Sequence, residues 1–537
     1  MTEKRQILKS ASVITLITLI SRICGYVRDQ RITLLLGTSV AADSFILAFR
    51  IPNLLRRLVG EGSLSASFIP VFAQYLKNGE ERLIWRFGNR IFWTVALAAG
   101  VLSILGILFS KWIVYAFTMF GHGQAHWDFA VYLNRMIFPY LFFVALSAVA
   151  MAILNSYHEF GVPAATPILF NLSVILFSVG ALYKPIMRWA PEAYRNPAVA
   201  LAAGILVGGV LQFLVQVPAL VRRGMRFDFG ISFNDPGVRQ VGKLLVPGFF
   251  GIGIYQINFF VDTIFATASR MPHGSITSLY VAERVMELVL GSYAISVATV
   301  ILPMMSRQAA ARQHDEMKKT FTFSLRLVSF ITIPAAVGLV LLRTPIIQVL
   351  FEHGKFVAES TALAARALFY YALGLPAFAA IKMVVPLFYS THDTKTPVVV
   401  AGYALLINAL LNVVFLFLFF RVFYNGSPAL ATSCAAYFNF FTLLWIFRKR
   451  FGQLGFARVL VSLARIAAAA VVMGAACMAF LRYVNFGSHP HLLPRIGLLA
   501  VAILGAAALY VALAWLLRCE ELAELRSVLR RADRVAA

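Results

Sequence analysis

From Ala11 to Leu517 the chain is one apolar stretch after another, each about 20 residues long and parted from the next by a short polar break. That length crosses the hydrocarbon of a bilayer as a helix, which satisfies its backbone hydrogen bonds internally where no water is present. Hydrophobic residues make up 60% of the 537 and charged residues 13%, which excludes a single soluble core with a wetted surface and leaves no room for a sizeable soluble domain. The pattern predicts an all-α polytopic membrane protein with about fourteen transmembrane helices.

The expected spans lie near 11–36, 41–75, 87–117, 130–154, 163–183, 197–221, 240–268, 277–306, 318–343, 361–389, 397–421, 428–447, 458–482 and 494–517. The first follows Lys4, Arg5 and Lys9 as the apolar run of a signal peptide does. It continues into Ser21-Arg22 without a small-residue cleavage site, so it reads as a retained helix. A formal net charge of +25 would suggest nucleic acid in a soluble protein. Here the basic residues cluster at Lys4–Lys9, Lys77–Arg90, Arg222–Lys243, Arg307–Arg326, Arg448–Arg458 and Arg518–Arg534, always an even number of spans apart. The positive-inside rule then places these clusters and both termini in the cytoplasm, with Lys184, Arg188 and Arg195 running against it in an outside loop.

Ser156-Tyr157-His158-Glu159, with Pro163 after it, recurs as Ser390-Thr391-His392-Asp393, with Pro397 after it, at a shift of 234 residues. Arg50 and Arg284 share the shift, as do Gln74 and Gln308, while Pro70 and Pro303 miss it by one. Two six-helix repeats that enter from the same side are related by an axis along the membrane normal. The expected domains are therefore an N-lobe at 1–226 with spans one to six and a C-lobe at 227–450 with spans seven to twelve. Residues 451–537 hold spans thirteen and fourteen and a tail in which Leu522, Leu525, Val528 and Leu529 fall at helical spacing, as in an amphipathic interfacial helix.

A charge at the bilayer centre costs at least ~2.5 kcal/mol, so ionisable residues inside spans usually face a wet cavity and carry function. Span one contains Arg22, Arg28, Asp29 and Arg31; span two contains Asp43, Arg50, Arg56, Arg57 and Glu61, with Pro52 and Gly60 able to distort it. Span eight adds Glu283, Arg284 and Glu287, the last two being helical neighbours, and span ten adds Arg366 and Lys382. Arginine keeps its charge and its planar fork of donors when partly desolvated, so a cavity ringed by it suits a phosphate or diphosphate better than a cation. The competing reading is that Arg22, Arg31, Arg56 and Arg57 lie near helix ends and reach to headgroups, and that Asp29 and Asp43 pair with nearby basic residues.

Asp262 in span seven and Asn408 and Asn412 in span eleven form an oxygen-rich set, the two amides on one helical face. A hard cation such as sodium prefers such oxygens, although membrane asparagines more often join helices by hydrogen bonds. His122, His126, His353 and His392 fall in predicted loops without metal spacing, and Cys24, Cys434, Cys477 and Cys519 are scattered with no zinc, haem or dithiol pattern. No phosphate-cradling Gly-Lys-Ser/Thr loop is present, which argues against ATP coupling within the chain.

Two segments carry a family resemblance. Ser21-Arg22-Ile23-Cys24-Gly25-Tyr26-Val27-Arg28-Asp29 in span one is followed in span two by Ala42-Asp43-Ser44-Phe45, then Arg50-Ile51-Pro52-Asn53-Leu54-Leu55-Arg56-Arg57 and Glu61-Gly62. Together they resemble the opening signature of the MurJ/MviN family, within the multidrug/oligosaccharidyl-lipid/polysaccharide exporter superfamily. The likeness continues through Glu283-Arg284-Val285-Met286-Glu287, Leu302-Pro303, His353-Gly354-Lys355-Phe356, Phe388-Tyr389-Ser390 and Lys395-Thr396-Pro397, and weakens over the last two spans.

The resemblance implies two six-helix lobes and two further helices that form a lipid-tail groove in the bacterial inner membrane. Its implied activity is that of a transporter, not an enzyme: lipid II, the undecaprenyl-diphosphate-linked precursor of peptidoglycan, moves from the cytoplasmic to the periplasmic leaflet by alternating access. Arg22, Arg28, Arg56 and Arg284 match the family's cavity arginines, and Asp43 and Glu287 its acidic positions. Asn53 lies within the signature, and Arg50 keeps only the charge of a lysine found in another member. Some members hold sodium between an acid on span seven and polar groups on spans eleven and twelve, a pattern met by Asp262, Asn408, Asn412 and Thr432. No catalytic residue or organic cofactor is expected; the implied partners are lipid II, membrane lipids and the cell-wall synthesis machinery, with no nucleic acid. An exporter of another lipid-linked oligosaccharide, a polyprenyl-phosphate enzyme and a noncatalytic scaffold remain the alternatives.

Overall fold

The computed structural model describes residues 3–59, 63–121, 127–180, 195–453, 455–484, 486 and 491–524. Among them the chain is a run of α-helices: α1 (Glu3–Leu36), α2 (Val40–Val59), α3 (Ser63–Asn78), α4 (Glu81–Leu108), α5 (Ser110–Phe117), α6 (Asp128–Ile137), α7 (Tyr140–Ser156), α8 (Gly161–Gly180), α9 (Pro197–Leu214) and α10 (Val217–Arg222). After these come α11 (Pro236–Ala266), α12 (Ser275–Ala310), α13 (His314–Phe351), α14 (Ala358–Ser390), α15 (Lys395–Phe417), α16 (Phe420–Phe423), α17 (Ser427–Phe451), α18 (Phe456–Tyr483) and α19 (Leu492–Leu516).

Ten spans among the described residues are long and apolar enough to cross a membrane, and they coincide with expected spans three to six and nine to fourteen. The other four expected positions are occupied by α1, by α2 with α3, by α11 and by α12, which fall outside the ten that length and hydropathy pick out among the described residues. Several expected spans are broken helices. Span three divides at Phe109 into α4 and α5, span four at Phe138-Pro139 into α6 and α7, span six at Val215-Gln216 into α9 and α10, and span eleven at Leu418-Phe419. At the Gln216 break the fully buried amide donates to Ser147 Oγ at 2.7 Å, to the Ser147 carbonyl at 3.2 Å and to the Gln212 carbonyl at 2.9 Å. Carbonyls freed where a membrane helix is interrupted are satisfied in this way by a neighbouring side chain.

Packing divides the chain into two compact units, Met1–Thr277 with His353–Phe356, and Ser278–Glu352 with Val357–Ala537. In the first, α1 packs on α8, α8 on α9, α9 on α7, and α11 on α3 and α2, so this unit extends one long helix beyond residue 226. Its core stacks Phe68, Phe72 and Phe87, all buried, with ring centroids 4.9 to 6.2 Å apart. In the second unit α13 packs on α14 and α18, α14 and α15 on α17, and α18 on α19. Two glycines let the turn at 353–356 lie on the end of α1. Gly37 and Gly354 both have φ +61°, and a Cβ would stand 2.3 Å from the Lys355 carbonyl oxygen or 2.6 Å from that of Leu34. With both absent, Lys355 N donates to Leu34 O at 2.9 Å.

The duplication read from the sequence is visible in the backbone. After α7, His158 adopts φ +60° and Glu159 N donates to Leu154 O; after α14, His392 adopts φ +59° and Asp393 N donates to Phe388 O. Each of these positions is displaced by the same 234 residues. Both turns end a helix with a left-handed residue, a place usually taken by glycine. Both also present an acid to an arginine: Glu159 to Arg223 at 2.5 Å, and Asp393 to Arg450.

Candidate functional site

In the first unit the charged residues of α1 face α8. Arg28 donates from Nε and Nη2 to Asp29 Oδ1 at 2.9 and 2.6 Å, and from Nη1 to Asn171 Oδ1 at 2.9 Å. Its guanidinium lies 5.7 Å from the centre of the Phe170 ring, and Asn171 donates in turn to the Ser21 carbonyl at 3.1 Å. The Arg28 and Asp29 side chains are 13% and 6% exposed, so charge and countercharge are both largely withdrawn from solvent. Neighbours in sequence do not face each other on a helix; the long arginine side chain has to fold back to reach Asp29. Arg31, one turn on, donates to Ser178 Oγ at 3.1 Å, while Arg22 is exposed.

The signature of α2 separates into different roles. Asp43 is buried and accepts from Gly274 N at 2.7 Å, from Thr277 N at 2.9 Å and from Thr277 Oγ1 at 2.7 Å. It therefore satisfies free N–H groups at the start of α12, the service an N-cap side chain performs from within its own chain segment. Arg50 donates to Thr263 Oγ1 on α11 at 2.6 Å, and Arg56 to Asn53 Oδ1 at 2.9 Å. The Arg57 side chain, Glu61, His122, His126, Lys184, Arg188, Leu525, Val528 and Leu529 lie outside the described residues.

In the second unit Arg284 Nη1 donates to Glu287 Oε2 at 2.7 Å, as the i, i+3 spacing predicts, and its guanidinium lies 4.8 Å over the Tyr280 ring. These side chains are 25% and 33% exposed, open enough to meet a ligand. Glu283, by contrast, is buried. Lys382 is half-buried on α14, and Arg366 stacks on Tyr424 at 4.9 Å.

The amides of the oxygen-rich set meet as expected within this unit. Asn408 Nδ2 donates to Thr432 Oγ1 at 2.7 Å and Asn412 Nδ2 to Asn408 Oδ1 at 3.0 Å, with all three residues at most 2% exposed. This is the helix-joining use of membrane asparagine, α15 to α17. Asp262, equally buried, belongs to the first unit. Among the described residues no cluster of three or more His, Cys, Asp or Glu stands ready to hold a metal ion. All four cysteines are free.

The second unit also contains a groove of about 1850 Å³ that runs along α13 from Phe330 to Ile346 and along α19 from Ile503 to Trp515. At 1.5 Å per residue the α13 wall is about 24 Å long. Arg518 and Glu520 are its charged lining residues; the rest is apolar, aromatic or small. Tyr510, on the wall, places its hydroxyl on the Phe330 carbonyl at 2.8 Å and so presents its ring rather than its polar end.

Sequence reasoning did not single out Asn171, Ser178, Thr263 or Thr277, the polar partners that fix Arg28, Arg31, Arg50 and Asp43. A lone asparagine in the apolar stretch 163–183 was the available signal for the first.

The family described as lipid II flippase MurJ matches residues 32–497. A lipid II flippase MurJ of Burkholderia cenocepacia is 33% identical over 509 residues, covering 93% of this chain and 95% of its own length. A probable lipid II flippase MurJ of Vibrio cholerae is 34% identical over 82% of both chains. Among solved structures, a lipid II flippase MurJ in an inward closed conformation superposes with a TM-score of 0.72 over 93% of this chain at 24% identity. An inward-facing multidrug resistance MATE family transporter of the MOP superfamily gives 0.67 over 83% at 14% identity. At those identities the likeness speaks for the fold.

Proposed function

Because the chain belongs to the lipid II flippase MurJ family and is a multi-pass bacterial inner-membrane protein, we propose that it carries lipid II from the cytoplasmic to the periplasmic leaflet by alternating access. The observation that supports this most is the setting of Arg28 and Arg284. Each is a partly withdrawn guanidinium oriented by a carboxylate and an aromatic face, a setting whose charge and planar geometry suit a diphosphate. Bidentate hydrogen bonds to phosphate oxygens replace the water that the headgroup loses, and no bond of the substrate is made or broken. The carboxylates keep each guanidinium in place while the substrate is absent and give way to the stronger anion when it arrives.

The sequence repeat motivates lobes at 1–226 and 227–450 that rock against each other, with both termini cytoplasmic. The groove between α13 and α19 is the proposed seat of the polyprenyl tail, which stays in an apolar setting while the headgroup crosses. Asp262, Asn408, Asn412 and Thr432 remain the residues proposed to respond to sodium.

The test is complementation. Wild type and Arg28→Ala/Arg284→Ala are expressed in a bacterium depleted of its own lipid II flippase, and lipid II accessible at the outer leaflet is measured. Rescue by wild type alone, at equal membrane levels, is expected; failure of a well-expressed wild type would point to a different lipid-linked substrate.

A further inference from the structure

The groove is bracketed at both ends by ion pairs. Beyond Ile346, Glu352 closes α13, and its Oε1 accepts from Arg495 Nη1 of α19 at 3.2 Å while its Oε2 accepts from Thr361 Oγ1 at 2.7 Å. Both members of the pair are 16% exposed. At the other end Arg326 lies one turn before Phe330 and donates from Nε to Glu521 at 2.5 Å and from Nη2 to Glu520 at 2.8 Å. Glu521 is 1% exposed and also accepts from Ser462 Oγ on α18 at 2.6 Å.

The chain reaches Arg326 by a forced turn. Helix α19 ends with Arg518 in the left-handed region, φ +51°, and Cys519 N donates to Ala514 O at 2.9 Å, so the backbone doubles back across the groove end. Arg465 of α18 holds that turn through the Arg518 carbonyl at 3.1 Å, and Leu522 packs against the cluster of Phe330, Ile466 and Tyr510. Adopting this conformation without glycine is unfavourable, and the ties to α13 and α18 offset that cost.

We propose that Arg326 and Arg495 are positioning residues for the lipid tail. They staple α19 and the turn that follows it to α13 at the two ends of the groove, making it a slot of set length that is loaded through its side and not by threading. This rests on the reading of the groove as the tail's seat. With both ends fixed, the spacing of α13 and α19 between the staples is set before the tail arrives, so ordering costs are met during folding and not during binding. Loss of either staple lets the walls splay and weakens the hold on a long tail, without touching the groups that meet the headgroup.

The experiment uses the full chain in proteoliposomes and compares two substrates, lipid II with its undecaprenyl tail and an analogue with a short neryl tail. Arg326→Gln and Arg495→Gln should each raise the apparent KM for the undecaprenyl substrate about ten-fold, leaving its maximal rate and the KM of the short-tailed analogue within about two-fold. Equal losses on both substrates, or no change on either, would overturn the proposal. The charge-exchanged pair Glu352→Arg/Arg495→Glu should recover most of the long-tail KM, and it keeps the test open if Arg326→Gln does not fold. Gly338→Trp tests the seat itself, because a Cβ at Gly338, on the groove wall, meets nothing within 4 Å and the ring would fill the groove. If it leaves the undecaprenyl KM at the wild-type value, the groove is not the tail site. If it raises that KM while the arginine variants do not, only the staples are refuted.

Discussion

Neutralising Asp29 isolates what the Arg28 pair does. In Asp29→Asn the guanidinium keeps Asn171 Oδ1 at 2.9 Å and the Phe170 face at 5.7 Å but loses the carboxylate that took two of its donors. Removing one partner of a buried pair costs about 3–5 kcal/mol, and the partners that remain put this case at about 3 kcal/mol. Arg28→Met should cost a similar amount, because it leaves Asp29, 6% exposed, without its guanidinium. Replacing both, as Arg28→Met/Asp29→Leu, removes the desolvated charges together and should return to within about 1–2 kcal/mol of wild type, since well-packed apolar groups replace buried pairs at little cost. Thermal unfolding of the detergent-solubilised protein gives the three stabilities, and lipid II exposure at the outer leaflet gives the activity. The expected pattern is strong non-additivity in stability together with complete loss of transport in the double variant. Additive single losses would refute the coupling; a stable double variant that still transports would remove Arg28 from the substrate site.

Asp43→Ala leaves Gly274 N, Thr277 N and Thr277 Oγ1 without their acceptor, and a loss of about 1–3 kcal/mol is expected in thermal unfolding; Asp43→Asn, which keeps one acceptor, should lose less. Glu521 gives a pH signature. Burial pushes its carboxyl up, but the hydrogen bonds from Ser462, its own backbone and Arg326 outweigh burial and hold it below the usual 4.5. A depressed carboxyl contributes stability that is fully present above the unfolded value and is lost as pH falls through the folded one. Proteolysis of the segment after α19 should therefore stay slow at neutral pH and accelerate only below about pH 4.5. Asp262→Asn should abolish any sodium dependence of transport in proteoliposomes; transport equally dependent on sodium in the variant and the wild type would exclude Asp262 from coupling.

Hydropathy made most of the helices legible because a bilayer imposes one length and one composition on whatever crosses it. It could not reveal the breaks at Phe109, Pro139 and Gln216, since an interrupted helix stays as apolar as a continuous one; what permits the interruption is a polar partner elsewhere, such as Ser147 for Gln216. The arginines were visible by their cost in the membrane. Their orientation was not, because Asn171, Ser178 and Thr263 lie 143 to 213 residues away from Arg28, Arg31 and Arg50. Asp43 shows the same limit more sharply: its position inside a signature suggested a role in the cavity, whereas the bonds it accepts from Gly274 and Thr277 at the start of α12 are those of a cap.

The left-handed histidines at His158 and His392 have a practical consequence. Two turns with matching dihedrals, matching hydrogen-bond registers and an arginine clasp on each acid are interchangeable parts. Residues 154–159 and 388–393 could be traded between the halves with little disturbance to either, which makes these turns the natural seams at which to splice chimeras of related flippases.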